Sequence, residues 1–530
     1  MRIVTGLAAS GKTSMLLREI AEKAEANRGR QILLVPELNS HQMERRLAAA
    51  THNHGARTAE VLTFSRLADR VFAVVGGLAQ QMLTPAGQLL TLQEAARRVQ
   101  VGLTAWSGLA DKPELLSETL ALIDECKSCM IEPEMLFRAS EESALDEDAA
   151  LSAKLCDLAQ ILTQYDSLCE ETLPDPRDRL THLRDGLAES HVLDGAEVYL
   201  DGFLSYTPQE LAIIEVMLSS GVPLTAAVTC DVELPDVFVT GCRTLRTLTR
   251  MAERCSRRPE LVDLGAGKMP RPAGLAAVAN EALLPVRQAH EDASGVRLYE
   301  AASPFDECEH AAAYIRRKVR DEGAHFRDFV IAARDIGPYS ASLAMAMGRY
   351  DIPMFLADKP DLLSRPPMAL VIGALESVRS NFGCRELFGC LKTGLTGLAW
   401  DEIDRLENYA ITWKIHGAAW ERDWVEHPDG YGIPVDEAAQ AQLDELNELR
   451  ARAIAPFAAL RERLKGEQPS AECVRALYDF LLAVDAPRRM EERAAEHDAA
   501  GRLQLADEYR QLWEILVSAM EQFAWVRGDM

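Results

Sequence analysis

The sequence predicts an α/β fold, a parallel sheet carrying large α-helical insertions, on three observations. Short apolar runs alternate with amphipathic helical stretches near the N-terminus and again after residue 190. A long helical block separates the two regions. A glycine-rich loop joins the first apolar run to its helix. At 530 residues the chain is too long for one hydrophobic core, so several domains are expected.

The elements follow in order. Ile3-Val4-Thr5 reads as a strand, and a helix runs from about Lys12 to Ala24. Gln31 to Pro36 is a second strand, stopped by its proline. A helical run through Met43 to Leu47 precedes a third strand, Val61 to Phe64. From Thr84 to Ser190 the pattern is helical, with turns at Lys112-Pro113 and Leu173-Pro174-Asp175-Pro176. Strands resume at Glu197 to Asp201 and Leu224 to Thr229. The Gly/Pro-rich stretch Gly265 to Gly274 reads as a surface crossing. Val296 to Tyr299 and Phe329 to Ala332 read as strands flanking a helix through His310 to Arg320, and everything after Arg365 reads as helix, with Gly528 the last turn signal. The expected organisation is therefore 1–83 and 191–290 as two parts of a first lobe, 84–190 as its insertion, 291–364 as the start of a second lobe, and 365–530 as a second helical insertion.

Composition narrows the class. Hydrophobic residues make up 48% and charged residues 26%, as in soluble globular proteins. With no apolar run of about 18 residues, and an N-terminus that enters a core strand directly, the expectation is a cytoplasmic protein without a membrane span. The eleven cysteines form no framework; Cys126 and Cys129 read as two ordinary cysteines one helical turn apart. The formal charge of −25 excludes a surface coated for non-specific nucleic-acid binding, yet leaves room for a local positive groove or a basic partner. The eleven histidines are dispersed, and neither a Ser/His/Asp triad nor a metal-ligand cluster is visible.

The strongest chemical signal is Gly6-Leu7-Ala8-Ala9-Ser10-Gly11-Lys12-Thr13, a full G-x-x-x-x-G-K-[ST] pattern between strand and helix. Its glycines let backbone N–H groups turn inward around phosphates; Lys12 would reach the β/γ-phosphates of ATP, and the Thr13 hydroxyl would hold Mg²⁺. The helix that follows points its positive end at the same anion. An acidic residue at the end of a core strand usually completes such a site, and Asp201, closing Val198-Tyr199-Leu200, fits; the alternative is an aspartate that caps the next helix. Hydrolysing enzymes place a glutamate next, to position the attacking water, whereas this chain has Gly202.

Taken in order, several segments resemble the AddB/RexB family, the B component of the bacterial ATP-dependent helicase/nuclease. They are the P-loop, Leu33 to Glu37 with Gln42 to Leu47, Leu62 to Leu67, Val198 to Phe203, Thr207 to Glu210, Tyr350 to Phe355, Leu391 to Leu395 and Glu407 to Tyr409. The resemblance spans essentially the whole chain and implies a superfamily-1-like helicase core of RecA-like lobes with helical insertions. It also implies a heterodimer with an AddA/RexA motor subunit, action on double- and single-stranded DNA in double-strand-break processing for homologous recombination, and reading of a short DNA sequence. Thr63, Phe64 and Arg66 are expected to line a single-strand groove, since such grooves combine stacking aromatics with phosphate contacts; the alternative is an ordinary strand end with a cap. Arg334, after the run Phe329 to Ala332, is the candidate to stabilise phosphoryl charge from the second lobe; the alternative is a strand-end surface residue. The family's [4Fe-4S] nuclease region matches nothing here, so its residues cannot be assigned. Two functions stay open: an ATP-fuelled helicase/exonuclease subunit, or a hydrolysis-deficient module that binds nucleotide and reads single-stranded DNA for its partner.

Overall fold

The computed structural model describes residues 1–51, 58–146, 148–265, 271–281, 288–356 and 362–527. The central part of the Gly265 to Gly274 crossing and the turn signal at Gly528 lie outside them.

Six strands, β1 (Arg2–Gly6), β2 (Arg30–Leu34), β3 (Ala59–Leu62), β4 (Ala196–Leu200), β5 (Leu224–Thr229) and β6 (Glu260–Asp263), form one sheet in the order β3-β2-β4-β5-β1-β6. Every pairing in it is parallel. A parallel sheet is covered on both faces, so its strands carry apolar side chains at successive positions. In β2, Ile32 and Leu34 join one core and Leu33 the other; in β4, Val198 and Leu200 oppose Tyr199. Helices α1 (Lys12–Glu25) and α2 (Ser40–Ala50) cover one face with Leu16, Ile20, Met43 and Leu47. The other face takes α3 (Phe64–Val75).

The chain then leaves the sheet through α4 (Pro85–Val99), α5 (Pro113–Ser128), α6 (Pro133–Leu145) and α7 (Ala149–Glu171), which bury their own core around Leu92, Ile123, Ile161 and Tyr165. It returns through α8 (Arg179–Ser190), and α9 (Pro208–Ser219) and α10 (Val239–Arg254) complete the second face. Cys126 is buried in α5, Cys129 caps it, and both are free thiols. Further helices are α11 (Ala273–Glu281), α12 (Pro304–Glu322), α13 (Ser340–Arg349), α14 (Pro366–Arg379), α15 (Cys384–Leu391), α16 (Trp400–Thr412), α17 (Glu437–Arg463), α18 (Ser470–Ala483), α19 (Ala486–Ala499) and α20 (Leu503–Arg527).

Two units result: Met1–Met269 with Gly373–Met530, and Pro270–Ile372. In the first, α20 lies against α4, and Val526 joins the core of the first insertion. In the second, α12 and α13 enclose Cys308, Ala312, Ile315 and Met347. The strands expected at Val296 to Tyr299 and Phe329 to Ala332 are not formed; both segments are irregular. A strand needs a hydrogen-bonded neighbour, and among the described residues neither segment has one. Leu298 (99% exposed) and Val330 (89%) accordingly face outward. The third strand ends two residues earlier than expected, because Thr63 becomes the cap of α3. No helix among the described residues is long and apolar enough to cross a membrane.

Candidate nucleotide site

In open α/β sheets, ligands bind beyond the carboxyl ends of the strands. The P-loop leaves the carboxyl end of β1 there, and Asp201 leaves the end of β4. Between them is a cavity of about 340 Å³, lined by the loop from Ala8 to Ser14 and by Arg46, Asp201, Gly202, Phe203, Leu204, Ala227 and Thr229.

The loop's conformation follows from its glycines. Gly6 has φ +149°, and a Cβ there would meet Ser10 Oγ at 2.6 Å. Gly11, the N-cap of α1, has φ +93°, a left-handed conformation that glycine adopts freely. Ala9 is also left-handed, at φ 59°. The Leu7 N–H bonds the Gly265 carbonyl at 3.1 Å, which ties the loop's start to the segment after β6. Lys12 folds back over the loop, donating from Nζ to the Gly6 and Leu7 carbonyls at 2.8 Å each. Among the described residues the buried Ser10 hydroxyl has no hydrogen-bond partner.

Asp201 is 4% exposed. Its N–H bonds the Leu34 carbonyl of β2 at 3.1 Å, fixing the strand end. Burial raises its carboxyl pKa above the ordinary aspartate value; hydrogen bonds from the Thr13 hydroxyl and the Gly202 N–H, and the charges of Arg46 and Lys12, oppose the rise. Burial likewise lowers the Lys12 ammonium, against the pull of Asp201. Thr13 and Asp201 thus form a pair of hard oxygen donors suited to Mg²⁺.

Gly202 has φ +85°, and a Cβ on it would lie 3.1 Å from Asn39 Nδ2 and 3.4 Å from Pro36 Cδ. The turn entering α2 therefore packs against the position where a water-positioning glutamate would sit.

The other expected residues fall differently. Thr63 is 1% exposed, its hydroxyl accepting from the Arg66 N–H as the cap of α3. Phe64 is 5% exposed and packs edge-on to Phe203, with ring centroids 5.7 Å apart; Phe203 stacks on Tyr206 at 4.9 Å. Arg66 is exposed and paired with Glu44 of α2. Arg334 is exposed in the second unit, in an irregular segment in place of the expected strand end. Sequence reading passed over Arg46, because an arginine on an amphipathic helix gives no sign of which pocket the helix borders.

The family described as "ADDB, N-terminal" matches residues 3–268, half of the chain. This chain belongs to the AddB family. Relatives that are the B component of an ATP-dependent helicase/deoxyribonuclease align along all of it. The protein of Desulforudis audaxviator is 32% identical and that of Symbiobacterium thermophilum 31%, each covered over 48% of its length. That of Acetivibrio thermocellus is 30% identical and covered over 47%. The chain thus spans about half the length of the curated AddB relatives it matches.

Proposed function

We propose that this chain is the nucleotide-binding, helicase-like portion of the AddB component of a heterodimeric ATP-dependent DNA helicase/exonuclease. The complex works in the cytoplasm with an AddA/RexA-type motor subunit and processes double-strand breaks for homologous recombination. The observation that carries the reading is the P-loop facing Asp201 across a cavity at the carboxyl edge of a parallel sheet, in a chain of the AddB family. A superfamily-1-like arrangement of RecA-like lobes is part of the proposal.

In the ATP-bound chain, the backbone N–H groups around Gly11 and the start of α1 cradle the phosphates. Lys12 would leave the Gly6 and Leu7 carbonyls for phosphate oxygens, and Thr13 with Asp201 would hold Mg²⁺, which would supply charge neutralisation at the phosphates. The Ser10 hydroxyl, without a partner among the described residues, would meet a phosphate oxygen. Single-stranded DNA passes the first lobe near Thr63, Phe64 and Arg66, with Arg66 meeting the backbone. Any [4Fe-4S] cluster belongs to a part of the full-length protein outside this sequence.

Gly202 favours a second reading of the chemical step: ATP is a conformational ligand of this chain, and the partner is the motor. Binding without turnover still shifts a two-state equilibrium when ATP prefers one state. Single-strand-dependent ATP hydrolysis, measured on the chain alone and with its partner, separates the readings. Turnover of several per second by the chain alone, abolished in Lys12→Ala, selects the motor; binding without turnover selects the ligand role.

A further inference from the structure

Two cationic side chains line the nucleotide cavity, Lys12 and Arg46, and they are in different states. Lys12 is buried, with both of its observed bonds spent on the carbonyls of its own loop. Arg46 is exposed on α2 and, among the described residues, makes neither a hydrogen bond nor an ion pair. On the same helix Met43 and Leu47 are buried in the core against the sheet and Glu44 is paired with Arg66, while Arg45, also exposed, is not among the residues lining the cavity. These anchors fix α2 on the sheet, so the base of Arg46 is held at the cavity while its guanidinium stays free.

We infer that Arg46 binds the γ-phosphate of the nucleotide, as a second cation supplied in cis by helix α2. The inference rests on the nucleotide-binding reading above. The P-loop wraps the cavity from one side, where its N–H groups serve the inner phosphates and Lys12 reaches the β- and γ-phosphates. Arg46, Asp201 and Gly202 line it together with Phe203, Leu204, Ala227 and Thr229, and the nucleotide-binding reading puts the end of the phosphate chain beside Arg46 and Asp201. A guanidinium presents planar, forked donors that match two phosphate oxygens at once and stays charged at any working pH. It is also charge-complementary to the site, since it acts on the buried Asp201 carboxylate. No arginine from the second unit is needed for this contact. Because α2 also carries Glu44, partner of Arg66, γ-phosphate binding would load the helix that borders the proposed DNA path.

The test compares Mg-ATP and Mg-ADP binding by calorimetry for the wild-type chain, Arg46→Ala, Arg46→Lys and Lys12→Ala. Arg46→Ala should weaken Mg-ATP about tenfold or more, the loss of one charge-assisted contact, and Mg-ADP by less than about threefold, within ordinary context effects. Arg46→Lys, which keeps the charge but not the fork, should fall between. The melting temperature of nucleotide-free Arg46→Ala should fall only slightly, by the loss of its charge near Asp201, whereas a packing role would lower it markedly. If Arg46→Ala binds both nucleotides as the wild type does while Lys12→Ala loses them, the nucleotide reading stands and the role of Arg46 is wrong. Equal weakening of ATP and ADP also overturns it, because the contact would then not be to the γ-phosphate. If the wild-type chain binds neither nucleotide, the functional reading itself fails.

Discussion

The Thr13 hydroxyl stands beside the Asp201 carboxylate and opposes the rise in its pKa, bringing the first turn of α1 to the end of β4 across 188 positions of sequence (201 − 13). Both metal-donor groups line one cavity before any ligand arrives, which cuts the ordering cost of binding. The hydroxyl compensates only partly for burying the carboxylate.

Asp201 therefore stores a pH dependence. Its folded pKa is raised by burial, so its ionised form is less favourable in the folded chain than in the unfolded one. The stability linked to it is fully present below the ordinary aspartate value and declines as pH rises through the higher folded value. At neutral pH, Asp201→Asn should leave the nucleotide-free chain as stable as wild type or more so, while abolishing the Mg²⁺ dependence of nucleotide binding. Thermal melts with and without Mg-ATP check both halves. A large drop in the nucleotide-free melting temperature would show that Asp201 is a structural keystone.

Lys12→Ala should lower nucleotide affinity about tenfold to a hundredfold, the loss of a charge-assisted contact of roughly 1.5–3 kcal/mol. In the free chain the same substitution removes two bonds to loop carbonyls. Both carbonyls would be left to water or to the loop itself, so a modest fall in stability should accompany the loss of binding. Calorimetric affinity equal to wild type would show that the P-loop does not cradle phosphate.

Gly202→Glu should not create an ATPase. The left-handed backbone disfavours any side chain by about 1–2 kcal/mol, and the first carbon added meets Asn39 and Pro36. The variant should be destabilised in denaturant titrations, with turnover no higher than the parent's. Turnover of several per second in Gly202→Glu would mean that the turn into α2 yields readily and that a single glutamate was all that hydrolysis lacked.

Much of the site was legible because its residues obey local rules. Glycine at Gly6 and Gly11 reflects backbone conformations that β-carbons resist, and Asp201 closes an apolar run that only a buried strand explains. The six-stranded sheet was legible where both of its faces are covered, as in β2 and β4. Legibility failed where the deciding contact is non-local. Val296 to Tyr299 and Phe329 to Ala332 have strand composition, but composition cannot supply a neighbouring strand. Phe64 was expected in a single-strand groove, and its ring instead packs against Phe203, 139 positions away (203 − 64). Arg46 was invisible for the same reason.

The junction between α4 and α20 gives a stability prediction. Gln522 Oε1 accepts from the Thr84 N–H at 3.0 Å and from the Thr84 hydroxyl at 2.6 Å, and it fills the space over Gly87. Gln522→Leu keeps the bulk and strands the Thr84 donors. The cost should be about 1–3 kcal/mol, that of an unsatisfied buried group. Chemical denaturation measures it. A change under about 0.5 kcal/mol, the usual range for surface sites, would mean that α20 contributes little to holding the first insertion.

DNA binding is best tested through Arg66, because Phe64 is part of the core. Phe64→Ala opens a cavity beside Phe203 and should destabilise the chain by about 3–5 kcal/mol, so weaker DNA binding in that variant would carry no information about contact. Arg66 is 49% exposed at its side chain, and its pairing with Glu44 is a surface pairing of small worth. Arg66→Ala should leave stability within about 0.5 kcal/mol and weaken single-strand binding by the complex with its partner. It should also flatten the salt dependence by about one phosphate contact. Glu44→Ala separates contact from geometry: it frees Arg66 from its anion and should leave DNA affinity equal or higher. The overall charge of −25 makes the salt slope the deciding measurement, since only a local cationic contact produces one on so acidic a chain. An unchanged slope in Arg66→Ala, with affinity intact, would move the DNA path away from α3.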